Sequence, residues 1–107
     1  MFRMKVQINT DRNIKGHEKM SQQVEAALEA AVGRFTDQIT RVEVHLSDLN
    51  SDKFGAEDKR CLLEARLAGR QPTAVSHQAA TLLEAIEGAA EKLKSNLEST
   101  FGRLGRR

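Results

Sequence analysis

The chain has no tryptophan, no tyrosine and only four phenylalanines in 107 residues. Sequence-tolerant binders of single-stranded nucleic acid stack bases on aromatic side chains, so a platform of that kind is not expected. Phe35 and Phe101 fall on the apolar faces of helical patterns and are assigned to the core. The single cysteine, Cys61, cannot form an internal disulfide. It sits in a strand-like run with no paired chemistry nearby and reads as a reduced, buried thiol of a cytoplasmic protein, not as a nucleophile. No apolar run approaches the ~18 residues of a membrane span. Met1-Phe2-Arg3-Met4-Lys5 lacks the apolar centre of a signal peptide. Paired cysteines, a His-Glu-x-x-His run, an EF-hand loop and a phosphate-cradling glycine motif are all missing. His17, His45 and His77 fall in three different elements and read as exposed polar residues, with His77 at a helix start. The expectation is a non-enzymatic protein with no cofactor and no metal.

What is present is strong periodicity. Met4-Lys5-Val6-Gln7-Ile8-Asn9 alternates apolar and polar, as a half-buried strand does. A helix begins near residues 16–19, with Met20, Val24, Ala27, Leu28, Ala31, Val32 and Phe35 on one face and Gly33 at its fraying end. Ile39, Val42, Val44 and Leu46 mark a second strand, and Cys61, Leu63, Ala65 and Leu67 a third. Gly69-Arg70-Gln71-Pro72 turns the chain into a short fourth strand, Thr73 to Ser76, which Pro72 marks as an edge. The final helix is expected to start at Ser76 or His77, with Ser76 as N-cap, and to continue to Arg107. Its apolar face is Leu82, Ile86, Ala89, Ala90, Leu93, Leu97, Phe101 and Leu104.

The predicted order is β-α-β-β-β-α in one α+β domain spanning 1–107. A helix between the first two strands makes them a parallel pair, and short links make the later neighbours antiparallel. Two helices with one apolar face each then cover the same face of a four-stranded mixed sheet. The opposite face is expected to carry Lys5, Gln7, Arg41, Glu43, His45, Arg60, Glu64 and Arg66, with Leu62 and Val75 as its apolar members.

Net charge is only +2, but it is unevenly spread. Lys92 to Arg107 holds five bases and one acid, and Met1 to Lys19 five bases and two acids. Asp48 to Asp58 holds four acids and one lysine and reads as a mobile acidic loop over 48–58. Residues 103–107 form a basic tail. In the last helix Lys92, Asn96, Ser99 and Arg103 share one stripe, and Glu84, Glu87, Glu91, Lys94 and Glu98 the other. The first stripe suits phosphates, and the second repels them. Lys19 and Arg34 bracket the first helix. If the helices lie side by side, their outward flanks form one basic surface, with the open sheet face (Lys5, Arg41, Arg60, Arg66) as the next candidate.

Specific strings add a resemblance. Val6-Gln7-Ile8-Asn9, Ile39-Thr40-Arg41-Val42-Glu43-Val44-His45-Leu46, and Ala85-Ile86-Glu87-Gly88 followed by Glu91-Lys92-Leu93 occur in that order over nearly the whole chain. Together they resemble the short ribosome hibernation promoting factors, also called ribosome-associated inhibitor or ribosomal subunit interface proteins. The resemblance implies a double-stranded-RNA-binding-like fold. It also implies docking in the small-subunit channel for mRNA and tRNA, and a block on translation by occlusion in stressed or stationary cells. Long members of the family add a second domain, so this chain resembles the short form. Lys92 stands at the family's lysine. After it the pattern departs, because Ser95, Asn96, Glu98, Ser99 and Thr100 replace a denser basic run. The expected RNA-binding set is Lys19, Arg34, Lys92, Lys94, Arg103, Arg106 and Arg107. The expected partner of this monomer is the small ribosomal subunit, through its rRNA, or the whole ribosome, with no membrane and no small-molecule substrate. The alternative is a regulatory protein-interaction module on the same fold.

Overall fold

The computed structural model describes residues 4–10, 17–48 and 59–102. The expected loop between Asp48 and Asp58 and the tail Arg103–Arg107 lie outside them, apart from Asp48, which ends a strand. The elements are β1 (Lys5–Thr10), α1 (His17–Val32), a 3₁₀ turn (Gly33–Phe35), β2 (Ile39–Asp48), β3 (Lys59–Leu67), β4 (Thr73–Ala79), α2 (Leu82–Leu97) and a π-helical turn (Glu98–Gly102). The sheet order is β1-β2-β3-β4. β1 runs parallel to β2, and the β2–β3 and β3–β4 pairs are antiparallel. The fold is the α+β arrangement expected, β-α-β-β-β-α.

Strand alternation decides which side is buried. Val42, Val44 and Leu46 pair across to Ala65, Leu63 and Cys61, so six buried side chains share one sheet face. Met20, Val24, Leu28 and Val32 recur every fourth residue of α1, and Ile86, Ala89, Leu93 and Leu97 give α2 its own stripe. All belong to one hydrophobic cluster, which places both helices on the same side of the sheet. Leu28, Val32, Phe35, Val44, Leu63, Leu67, Ile86 and Leu93 are all buried, as the periodicity predicts. Cys61 lies in this core, and burial pushes its thiol up to about 12.

Two expectations fail around β4. The strand runs on through His77 and Gln78 to Ala79, and α2 starts at Leu82, so Ser76 is not its N-cap. Thr81 is: its Oγ1 accepts a hydrogen bond from the Glu84 N–H at 3.1 Å. Thr81-x-x-Glu84 has the sequence of a capping box, a stronger signal than an isolated serine. His77 is therefore a strand residue. It pairs with Cys61 and points to the helix side, where it is half-buried against Gly88. A Cβ on Gly88 would sit 2.0 Å from His77 Cδ2, so the imidazole occupies the space that a side chain there would need. Val75 likewise turns inward, opposite Leu63, and not onto the open face. At the other end, α1 gives way at Val32 to the 3₁₀ turn that seats Phe35 in the core. In the β3–β4 link Gly69 takes φ 70°, a conformation glycine adopts without strain. The regular α-helix ends at Leu97, short of the expected continuation, and the π-helical turn carries the chain to Gly102.

Candidate nucleic-acid interface

The topology fixes where each predicted cation goes. β4 runs parallel to β2, so the helices that follow β1 and β4 point the same way and their C-terminal ends meet. There Arg34 Nη2 donates to Glu98 Oε2 at 2.8 Å. Lys19 sits in the first turn of α1, roughly 22 Å of helix away from Arg34, so these two do not form one cluster.

Lys92 and Lys94 leave α2 on opposite flanks. The flank toward α1 is carried by Glu87, Ala90 and Glu91, which line a groove with Ala27, Ala30 and Ala31. Lys94 belongs to this flank by helical period, beside Glu87, Glu91 and Glu98. Lys92 faces β4 instead, and its Nζ donates to the Ser76 carbonyl at 2.9 Å. Among the described residues β4 pairs only with β3, which leaves carbonyls on its outer side available to such a side chain. One turn later Asn96 Oδ1 accepts from Thr73 Oγ1 at 3.0 Å. The Lys92 stripe thus runs over the sheet edge and away from α1. Arg103, Arg106 and Arg107 lie outside the described residues but follow the π-helical turn in sequence.

Charge across the helical layer is not basic. From 17 to 35 and from 82 to 102 there are four bases (Lys19, Arg34, Lys92, Lys94) and seven acids (Glu18, Glu25, Glu29, Glu84, Glu87, Glu91, Glu98), 4 − 7 = −3. Among the described residues of this layer, arginines gather at the C-terminal end of α2. There Arg34 lies over the Phe35 ring at 4.7 Å and Arg70 over the Phe101 ring at 5.2 Å, with the two ring centroids 6.1 Å apart. Two guanidinium groups therefore flank a phenylalanine pair, and such stacking holds each group in place while leaving N–H donors for an anion. Arg70 also lines an open cleft of about 820 Å³ with Gly69, Pro72, Thr73, Asn96 and Thr100. Arg70 is missing from the predicted set. Its place in a glycine-proline turn reads as a plain connection, and only the packing of the turn against Phe101 brings it to the end of α2.

The opposite face is a lattice of charges set by strand register. Lys5, Arg41 and Arg66 form one cross-strand row, and Gln7, Glu43 and Glu64 the next. Arg41 donates to Gln7 Oε1 at 2.6 Å and pairs with Glu43. His45 Nε2 lies 3.1 Å from Glu64 Oε1 and 3.7 Å from Glu43 Oε1. With Arg60 the face carries four bases against two acids, 4 − 2 = +2. Glu43 and Glu64 line, with Arg66 and Pro72, a depression of about 110 Å³, well below the ~300 Å³ of a small-molecule pocket. Leu62 is half-buried on this face beside His45 and Ser76, and without Val75 it makes no apolar patch there. No helix among the described residues is long and apolar enough to cross a membrane.

Two solved structures share this fold. The Protein Y N-terminal domain of Thermus thermophilus is 22% identical, with a TM-score of 0.72, and the match covers 91% of this chain and 99% of that one. A ribosomal subunit interface protein from Coxiella burnetii is 12% identical, with a TM-score of 0.74, over 92% of this chain and 99% of that one. No curated protein sequence matches the chain significantly. The pattern of the Sigma 54 modulation protein / S30EA ribosomal protein family matches residues 6–104, a span that includes every string on which the resemblance rests. The chain therefore belongs to the Sigma 54 modulation protein / S30EA ribosomal protein family, the ribosome hibernation factors that its sequence resembles, and this membership assigns it no enzymatic activity.

Proposed function

We propose that this protein binds the small ribosomal subunit in the cytoplasm and blocks translation by occupying the channel for mRNA and tRNA in stressed or stationary cells. The family match over residues 6–104 carries this reading, supported by the ribosomal subunit interface protein that shares the fold. The mechanism is occlusion: a folded domain fills a space that the substrates of translation need. Contact with rRNA rests on phosphate charge and shape, which suits a chain without a base-stacking platform.

The phosphate contacts are assigned to the C-terminal end of α2. Arg34, Lys92 and Lys94 lie along it, Arg70 joins them from the β3–β4 turn, and Arg103, Arg106 and Arg107 follow in sequence. Lys19, at the far end of α1, is a peripheral contact. Replacing Lys92 and Arg103 together by Glu should reduce co-sedimentation with ribosomes and relieve inhibition of cell-free translation, with the circular dichroism spectrum unchanged. Affinity should also fall steeply with salt, because each neutralised phosphate releases counterions. A folded double variant that binds and inhibits like the parent would remove this surface from consideration. The second reading places the contact on the open sheet face, and the Lys5–Arg41–Arg66 row is the observation that favours it.

A further inference from the structure

We propose that Glu43, His45 and Glu64 on the open sheet face form a binding site for a divalent transition-metal ion of the zinc type. The three residues come from two antiparallel strands. Glu43 and His45 are successive outward positions of β2, and Glu64 of β3 lies directly opposite Glu43. One ligand atom from each can be chosen so that all lie within 4.8 Å of one another. His45 Nε2 is the hub, 3.1 Å from Glu64 Oε1 and 3.7 Å from Glu43 Oε1. Donor atoms bonded at ~2.0–2.2 Å to a tetrahedral ion stand about 3.3–3.6 Å apart, so the two observed spacings bracket what zinc requires. One imidazole and two carboxylates are a donor set zinc accepts, with a fourth position left for water or another oxygen ligand.

Two further observations point the same way. Glu43 and Glu64 face each other across the strand pair, and directly opposed like charges destabilise a sheet. A cation between them turns that repulsion into attraction. Arg41 takes Oε2 of Glu43, and Arg41 is in turn held by Gln7, so Oε1 of Glu43 is left turned toward His45. Partners of this kind orient metal-ligating carboxylates. Arg41 and Arg66 in the neighbouring row add positive charge that opposes any cation, so an ion there is held by directed bonds to nitrogen and oxygen. The site therefore selects zinc-like ions over Mg²⁺, which keeps its own waters and prefers oxygen ligands.

The test is isothermal titration of the full-length, metal-stripped protein with Zn²⁺ and, separately, with Mg²⁺. Zn²⁺ should bind at one saturable site and Mg²⁺ should give no comparable signal. His45→Ala and Glu64→Gln should each lower Zn²⁺ affinity about tenfold or more, at least as much as the loss of an outer-shell partner does. His77→Ala, a control on the helix side of the sheet, should leave it unchanged. Glu64→Gln keeps the size of the side chain while removing its charge, and circular dichroism confirms that each variant is folded. Zinc-edge anomalous scattering from a crystal should place the ion between the three side chains. A parent that does not bind Zn²⁺ saturably, or folded His45→Ala and Glu64→Gln variants that bind it like the parent, would overturn the proposal.

Discussion

The two faces of the sheet solve different problems with similar numbers of charges. On the helix side the charges sit on the outside of a closed apolar layer, and acids outnumber bases. On the open side bases outnumber acids, but the register places the Lys5–Arg41–Arg66 row beside the acidic one, and Arg41 and His45 are engaged with Glu43 and Glu64. A surplus of positive charge is therefore no guide to an RNA contact by itself. At the C-terminal end of α2 Arg34 pairs with Glu98, Arg70 stacks over Phe101, Lys94 follows on the flank of Glu91 and Glu98, and three more arginines come after in sequence. The arginines gathered around the Phe35–Phe101 pair single out that end, not the net charge of either face.

If the helix side owes its form to packing, removing apolar volume there should have the largest effect. Leu93 is fully buried in α2, and Leu93→Ala should destabilise the fold by about 2–5 kcal/mol in urea denaturation. Gly88→Ala should come next, costing about 1–3 kcal/mol because a new Cβ meets the His77 ring, despite alanine's better helix propensity. His77→Ala in the same chain should recover part of that loss, whereas additive losses would mean that the two residues are not in contact.

The core also makes a prediction in pH. The Cys61 thiol is raised from 9.0 to about 12 by burial, so the folded state holds the proton more tightly than the unfolded chain. Its contribution to stability is complete below about pH 9 and is lost as pH rises from there toward 12. Cys61→Ala should flatten the decline of stability across that window, and the native thiol should resist alkylation at pH 8 until the protein is unfolded. The smallest effect belongs to the exposed pair between the helices. Glu98→Gln should change stability by less than about 1 kcal/mol, since exposed ion pairs contribute little. It should nonetheless raise affinity for ribosomes, because it removes the acid at the cationic end.

The fold was legible because period and burial coincide: every fourth residue of α1 and every second residue of β2 and β3 is buried. The start of α2 was misplaced because Ser76-His77-Gln78 carries no apolar residue to reveal that the strand continues, while Thr81 and Glu84 cap the helix three residues apart. The candidate site was less legible for a geometric reason. A sequence gives the two flanks of a helix but not which flank meets its neighbour. That depends on strand order, which sent Lys92 over β4 and Lys94 toward α1. Arg70 depends on a contact between elements distant in sequence, and strand alternation put Glu43, His45 and Glu64 on one face without giving the register that sets Glu43 opposite Glu64.

Side-by-side co-sedimentation with purified ribosomes tests the contrast between the two surfaces most directly. One variant carries Arg34→Glu, Lys92→Glu and Lys94→Glu at the end of α2, and the other carries Lys5→Glu and Arg66→Glu on the open face. At physiological salt the first should lose about tenfold or more in affinity, as expected when several phosphate contacts are reversed, while the second stays close to the parent. Loss of binding by the open-face variant, with the α2 variant folded and bound like the parent, would contradict the account and move the RNA contact to the other side of the sheet.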